Sequence, residues 1–186
     1  MMAILLLTGC STTRTVSSDS INTEGVRTVT GTPMKILIGE QSYSLWLSAT
    51  DNGKATTWEL LLDSQYKPVG DGLILLRFSE GYVEELKANH KGRLGLETEH
   101  YMMDDGREFE RTAGWRATYP LSEKILNCFE NRSLEKIRVR SPQGYEESSA
   151  KPSDSTSDIG IYIANTKKAI LKRMAVRHDE LIYKNF

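Results

Sequence analysis

The sequence predicts an α+β protein: an antiparallel β-sheet folded as a sandwich or open barrel, with a short helix near residues 122–130 and a C-terminal helix near 159–176. Three observations carry that expectation. Three hairpin signals, Asn52-Gly53, Glu80-Gly81 and Asp105-Gly106, each stand between runs of apolar and alternating residues. Ser122 and Asp158 each precede apolar residues at helical spacing. Of the 186 residues, a body of about 150 remains once a leader and leash are set aside, enough for one domain with a real core.

Asn52-Gly53 suits a two-residue type I′ turn, which places residue 47 opposite 58, 45 opposite 60 and 43 opposite 62. Tyr43, Leu45, Leu47 and Ala49 then share one face with Trp58, Leu60 and Leu62, while Ser44, Trp46, Ser48, Thr57 and Glu59 take the other. The continuous run Leu73 to Leu76 reads as a central strand covered on both faces. It continues to Phe78, turns at Glu80-Gly81 and returns through Tyr82 to Leu86, with Phe78 beside Val83 and Arg77 beside Glu84. Asp105-Gly106 sets Met102 opposite Phe109. After Trp115 to Tyr119, Pro120 is expected to end the sheet, and Ser122 to cap a helix packed through Leu121, Ile125, Cys128 and Phe129. Leu134 to Arg140 is a strand with Ile137 and Val139 inward and Lys136, Arg138 and Arg140 outward; Pro142-Gln143-Gly144 turns it toward Tyr145. Asp158 is expected to cap the last helix, from Ile159 to about Val176.

Ahead of the sheet, Ala3-Ile4-Leu5-Leu6-Leu7 closes on Leu7-Thr8-Gly9-Cys10 and is followed by Ser11-Thr12-Thr13. This resembles the end of a bacterial lipoprotein signal, in which small residues precede the cysteine that is diacylated and becomes the new N-terminus. The resemblance implies a signal peptide at 1–9, palmitate-type lipidation of Cys10, and a protein anchored in the bacterial cell envelope, at the outer membrane. No Lys or Arg precedes the run and it is shorter than the usual roughly 7–15 apolar residues, which predicts a start codon upstream of Met1. The competing reading makes Ile4 to Leu7 a buried strand of a cytosolic protein. Ser11 to Pro33 is rich in Ser, Thr, Gly, Asn and Asp, so residues 10–33 are expected to be a flexible tether ahead of a single domain at 34–186. No run approaches the ~20 apolar residues that a membrane span needs.

The net charge of −1 supplies no bulk field for nucleic acid, yet the charge is uneven. Acids gather between Glu80 and Glu110, whereas Ile159 to His178 contains none. Lys136, Arg138 and Arg140 on one strand face, with Lys167, Lys168, Lys172 and Arg173 on the last helix, are candidates for an anionic surface: lipid headgroups or an acidic envelope protein. Pairing with the chain's own acids is the competing reading. Trp46, on the polar hairpin face with Tyr66, Tyr82 and Trp115 as companions, is a candidate aromatic contact unless a helix covers that face.

Catalytic signatures are missing from the sequence: it has no G-x-S-x-G elbow, phosphate loop, H-E-x-x-H helix or C-x-x-C pair. Glu97, Glu99, His100, Asp104 and Asp105 form the densest ligand-like group and read as a solvated hairpin edge. Cys128 falls on a packed helix face and reads as a small buried hydrophobe. No catalytic residue, metal or cofactor is expected.

Tyr119-Pro120-Leu121-Ser122 through Phe129, followed by Leu134-Glu135-Lys136-Ile137-Arg138-Val139-Arg140, resembles a pattern in small uncharacterised lipoproteins of gut Bacteroidota. In that group a Tyr-Pro-Leu-Thr/Ser helix start follows a strand, an Ile-Arg strand comes next, and a basic helix closes the domain. The resemblance spans the second half of the body and implies fold and location, with no site residues. The expected role is a non-catalytic binding or scaffold domain on a membrane tether. An inhibitor or immunity-like protein of the periplasm and an envelope hydrolase are its rivals.

Overall fold

The computed structural model describes residues 15–64, 72–93, 99–102, 108–111, 114–141, 144–148 and 155–176. In chain order the strands are β1 (Val16–Ile21), β2 (Arg27–Gly31), β3 (Met34–Ile38), β4 (Gln41–Asp51), β5 (Thr56–Ser64), β6 (Leu73–Phe78), β7 (Val83–Lys87), β8 (His90–Arg93), β9 (Glu99–Met102), β10 (Glu108–Arg111) and β11 (Trp115–Leu121). Helix α1 (Glu123–Asn131), strands β12 (Leu134–Ser141) and β13 (Gly144–Glu147), and helix α2 (Ser155–Met174) complete the order.

Alternation along these strands sorts side chains into an inner and an outer face. One antiparallel sheet runs β1-β2-β4-β5-β11-β8, with β3 beside the first half of β4; a second runs β13-β12-β6-β7; β9 and β10 form a separate hairpin. Leu45, Leu47, Leu60, Leu62, Ala117 and Tyr119 from the larger sheet share one core with Ile74, Leu76, Phe78, Ile137 and Val139 from the smaller. Ile125, Leu126 and Phe129 of α1 and Ile159, Ile163 and Ile170 of α2 complete it. Gly39 N–H donates to the Glu147 carbonyl and Asn89 N–H to the Thr118 carbonyl, tying both ends of the small sheet to the large one. The α+β class and the sandwich follow as expected, and the sheets are not closed into a barrel. Ser122 Oγ accepts from Ile125 N–H at 3.3 Å, and Cys128 is buried on the packed face of α1.

Register departs from expectation at all three hairpins. Asn52 Oδ1 accepts from the N–H groups of Lys54 and Ala55, and Asp51 Oδ1 from Gly53, closing a four-residue loop instead of a two-residue turn. Leu47 therefore opposes Leu60, and Leu45 opposes Leu62. A slip of two residues preserves the faces, which is why the inward set survives. At the second hairpin, Glu80 and Gly81 take φ of +63° and +73°, and Phe78 N–H donates to the Tyr82 carbonyl, so Arg77 opposes Val83 and Leu76 opposes Glu84. That one-residue slip separates the expected Arg77–Glu84 pair. Glu84 bonds Lys124 at 2.7 Å, and Arg77 reaches Glu135 at 3.3 Å. At the third, Met102 opposes Glu108; the turn itself lies outside the described residues.

Other boundaries also move. β6 is central in its sheet, but of the run Leu73 to Leu76 only Ile74 and Leu76 are buried, and Leu73 and Leu75 remain half-buried on the outer face. β11 continues through Pro120 to Leu121, because β8 ends opposite Thr118 and one side of the strand is then open, a setting that tolerates proline. α2 begins at Ser155, three residues ahead of the expected cap at Asp158.

The largest correction concerns the tether. Residues 16–31 are not a leash but the β1–β2 hairpin, paired to β4 from Arg27↔Asp51 to Thr30↔Ser48. Thr28 meets Thr50 and Thr30 meets Ser48 through hydroxyl contacts of 3.3 and 3.2 Å, while Val29 is buried with the core. Polar on one face and nearly free of large apolar residues, the hairpin reads as a loop by composition although its Thr and Val suit a strand. The domain as described therefore includes residues from β1 onward, ahead of the expected boundary at residue 34.

Arg27 fixes this hairpin to the end of α2. Its Nε and Nη2 donate to the two Asp19 oxygens at 2.9 Å, and its Nη1 and Nη2 donate to the carbonyls of Val176, Arg173 and Met174 at 2.9, 3.0 and 3.2 Å. The last carbonyls of a helix lack internal partners, so the buried guanidinium acts as a C-terminal cap. Arg173 Nε adds a bond to Asp19 at 2.6 Å. Gly31 completes the junction, since a Cβ there would collide with Thr166 and crowd the Tyr162 hydroxyl.

The Arg27 guanidinium, opposed by burial and aided by Arg173, holds the Asp19 carboxyl below its ordinary value. A carboxylate depressed in the fold stabilises fully above its unfolded pKa and loses that contribution as pH falls through the depressed one. Asp19→Asn should therefore cost about 2–3 kcal/mol at neutral pH, and the cost should shrink as pH falls below about 4, the unfolded value. Urea titrations of both proteins across pH check this, and a pH-independent difference would contradict it.

Candidate functional site

The outer face of the smaller sheet brings together residues from all four of its strands. Arg138 Nε and Nη2 donate to Glu147 Oε2 at 3.0 and 2.7 Å, and Lys136 Nζ lies 3.7 Å from the same carboxylate. Arg138, with Lys136 in support, holds the Glu147 carboxyl below its ordinary value. Arg140 donates to the Tyr145 hydroxyl at 3.0 Å, and its guanidinium lies 4.8 Å from the ring centroid, with that of Arg138 at 5.6 Å. Leu75, Arg77, Val83, Lys136, Arg138 and Glu147 line a shallow cavity of about 230 Å³. Val83 and Tyr145 are among the exposed large apolar side chains. Lys136, Arg138 and Arg140 thus have partners on β13.

The helix cations divide. Lys167 is buried and reaches Glu123 at 3.5 Å and Glu130 at 3.3 Å, clamping α2 to α1. Arg173 belongs to the Asp19 junction. Lys168 and Lys172 are exposed, and no carboxylate among the described residues lies within salt-bridge distance of either. Because Ile137 and Val139 point into the core shared with α2, while Lys136, Arg138 and Arg140 point away from it, the seven cations do not form one positive surface. Beside Lys172 runs a groove of about 650 Å³ between β1 and α2, lined by Thr15 to Asp19, Ala169, Lys172, Arg173 and Val176. The sequence does not announce this groove, because Thr15 to Asp19 has the composition of a tether and meets α2 only in the fold.

Trp46 is half-buried on the outer face of the larger sheet, opposite Leu61, with the Arg116 guanidinium 4.9 Å from its ring centroid. Asp63 holds Arg116 through two bonds of 2.8 and 2.9 Å. The helices pack on the opposite, inner face with Leu45 and Leu47, so neither covers Trp46. Tyr82 is no companion; it sits beneath Lys124 and Arg132 on the smaller sheet, and Tyr66 lies outside the described residues. So do Cys10 and the side chains of Glu97, Glu99, His100, Asp104 and Asp105. Among the described residues, no group of three His, Cys, Asp or Glu is placed to hold a metal ion. Comparison with family models, curated proteins and solved structures found no match to this chain.

In a variant retaining only Trp46 (Trp58→Phe, Trp115→Phe), acrylamide should quench the ring clearly more than it quenches Trp58 in the matching single-tryptophan variant. Equal shielding of the two would remove Trp46 as a contact residue.

Proposed function

We propose that the protein is a cell-envelope lipoprotein, anchored through acylated Cys10, whose α+β domain binds a partner and performs no catalysis. The observation that carries this reading is the stretch Leu7-Thr8-Gly9-Cys10 followed by Ser11-Thr12-Thr13, with β1 beginning six positions after Cys10. Cleavage before Cys10 leaves β1 intact, as maturation of a lipoprotein requires. The resemblance of the Tyr119 to Arg140 pattern to that of small Bacteroidota lipoproteins implies the same location.

Support for binding comes from the smaller sheet. Tyr and Arg are the residue types that interfaces favour, because a ring or guanidinium offers large contact area with few torsions to freeze. Arg138, Arg140 and Tyr145 present such a surface already held by mutual contacts, next to exposed Val83. An acidic envelope protein fits its charge.

Labelling with an alkyne fatty acid in cells expressing the gene from its own locus tests the anchor. The native protein should take up label and sediment with membranes, whereas Cys10→Ser should lose label and become soluble. A native protein without label, or a Cys10→Ser variant that keeps it, would overturn the reading.

A further inference from the structure

We infer that the groove between β1 and the last turns of α2, with the Lys168, Leu171 and Lys172 face beside it, is the surface on which the domain rests against an anionic bilayer. The position of the chain's entry makes this face special. Thr15 lines the groove and follows Cys10 by five positions. A chain extends at most about 3.6 Å per residue, so the rim of the groove lies within roughly 18 Å of an acylated Cys10, whatever the intervening residues do. This part of the argument rests on the lipid anchor proposed above.

The chemistry of the face is independent of the anchor. Lys168 and Lys172 stand one turn apart on α2, with Leu171 46% exposed beside them. No acid occurs from Ile159 to His178. Among the described residues, Asp19 is the one carboxylate lining the groove, and Arg27 and Arg173 already hold it, so none of them offers Lys172 a free counter-charge there. Val16, Ala169 and Val176 give the groove an apolar lining beneath that cationic rim. An aliphatic surface edged by lysines matches the boundary between acyl chains and phosphate headgroups, where a long ammonium side chain reaches phosphate while its stem stays in apolar surroundings. Two lysines attract a bilayer weakly, but a short tether keeps them at high effective concentration beside it. The outer face of the smaller sheet lacks this match, since its cations are engaged by Glu147, Glu135 and Tyr145.

The test uses the full chain carrying Cys10→Ser, floated with vesicles of phosphatidylcholine alone or mixed with phosphatidylglycerol. At low salt the anionic vesicles should retain about tenfold more protein than the neutral ones, and added salt should erase the difference. Lys168→Glu with Lys172→Glu should abolish the preference. Lys35→Glu with Lys54→Glu, the same change in net charge at exposed positions elsewhere, should leave most of it. Equal binding to both vesicle types, or equal loss in the two double variants, overturns the inference. Acylation of the native protein without vesicle preference would leave the anchor and remove this surface. Vesicle preference without acylation would do the reverse.

Discussion

Arg27 is the side chain on which the arrangement turns. Burying a guanidinium is costly unless its donors are used, and here the two Asp19 oxygens and three carbonyls at the end of α2 take them up. The same contacts serve carbonyls at and just past the C-terminus of α2, where the helix has no further N–H to offer. One residue therefore makes the first hairpin and the last helix parts of the same body, although 146 positions separate Arg27 from Arg173. Without it, β1 would be an edge strand held by β2 and by the bond from Arg173 to Asp19, the kind of element that frays.

The rest of the inner layer follows from that fixed end. Gly31 lets α2 approach β2 closely enough for Thr166 and Tyr162 to lie over the sheet, and Lys167 clamps the middle of α2 to Glu123 and Glu130 of α1. With both helices committed to the inner side, the outer faces of the two sheets are left to other tasks. On each, arginine is stacked on an aromatic ring and held by a carboxylate: Arg116 with Trp46 and Asp63, Arg138 with Tyr145 and Glu147. Such pairing stiffens a surface more than it stabilises a fold, since exposed ion pairs contribute little net free energy.

Much of the interior was legible in the sequence because it depends on period alone. Alternation at Leu45, Leu47, Leu60, Leu62, Ile137 and Val139, and helical spacing at Ile125, Cys128 and Phe129, assigned each residue to the core irrespective of partner. Register was not legible, because turn length depends on bonds that composition does not announce: the Asn52 side chain accepting from two backbone N–H groups, or Glu80 at positive φ. The β1–β2 hairpin was missed for a related reason. Its stability comes from threonine pairs across strands and from Arg27 meeting a distant helix, which are tertiary facts; the alternation Thr28-Val29-Thr30 behind the turn at Asn22 to Gly25 was the signal available. The candidate cations were legible as charges, but their partners were not. Glu147 lies nine positions from Arg138 and meets it only because β13 folds back on β12.

Joining β1 to α2 also sets the geometry of the proposed anchor. A tether of some twenty residues would let the domain roam, whereas one of five keeps the groove and the exposed lysines of α2 turned toward whatever holds Cys10. Everything in that picture depends on residues 16–31 being sheet. Native-state hydrogen exchange measures this directly: the backbone amides of β2 paired with β4, Thr28 and Thr30 among the segment, should exchange about as slowly as those of β4 and β5. Exchange of the 16–31 amides at the rate of an unstructured peptide would contradict the account.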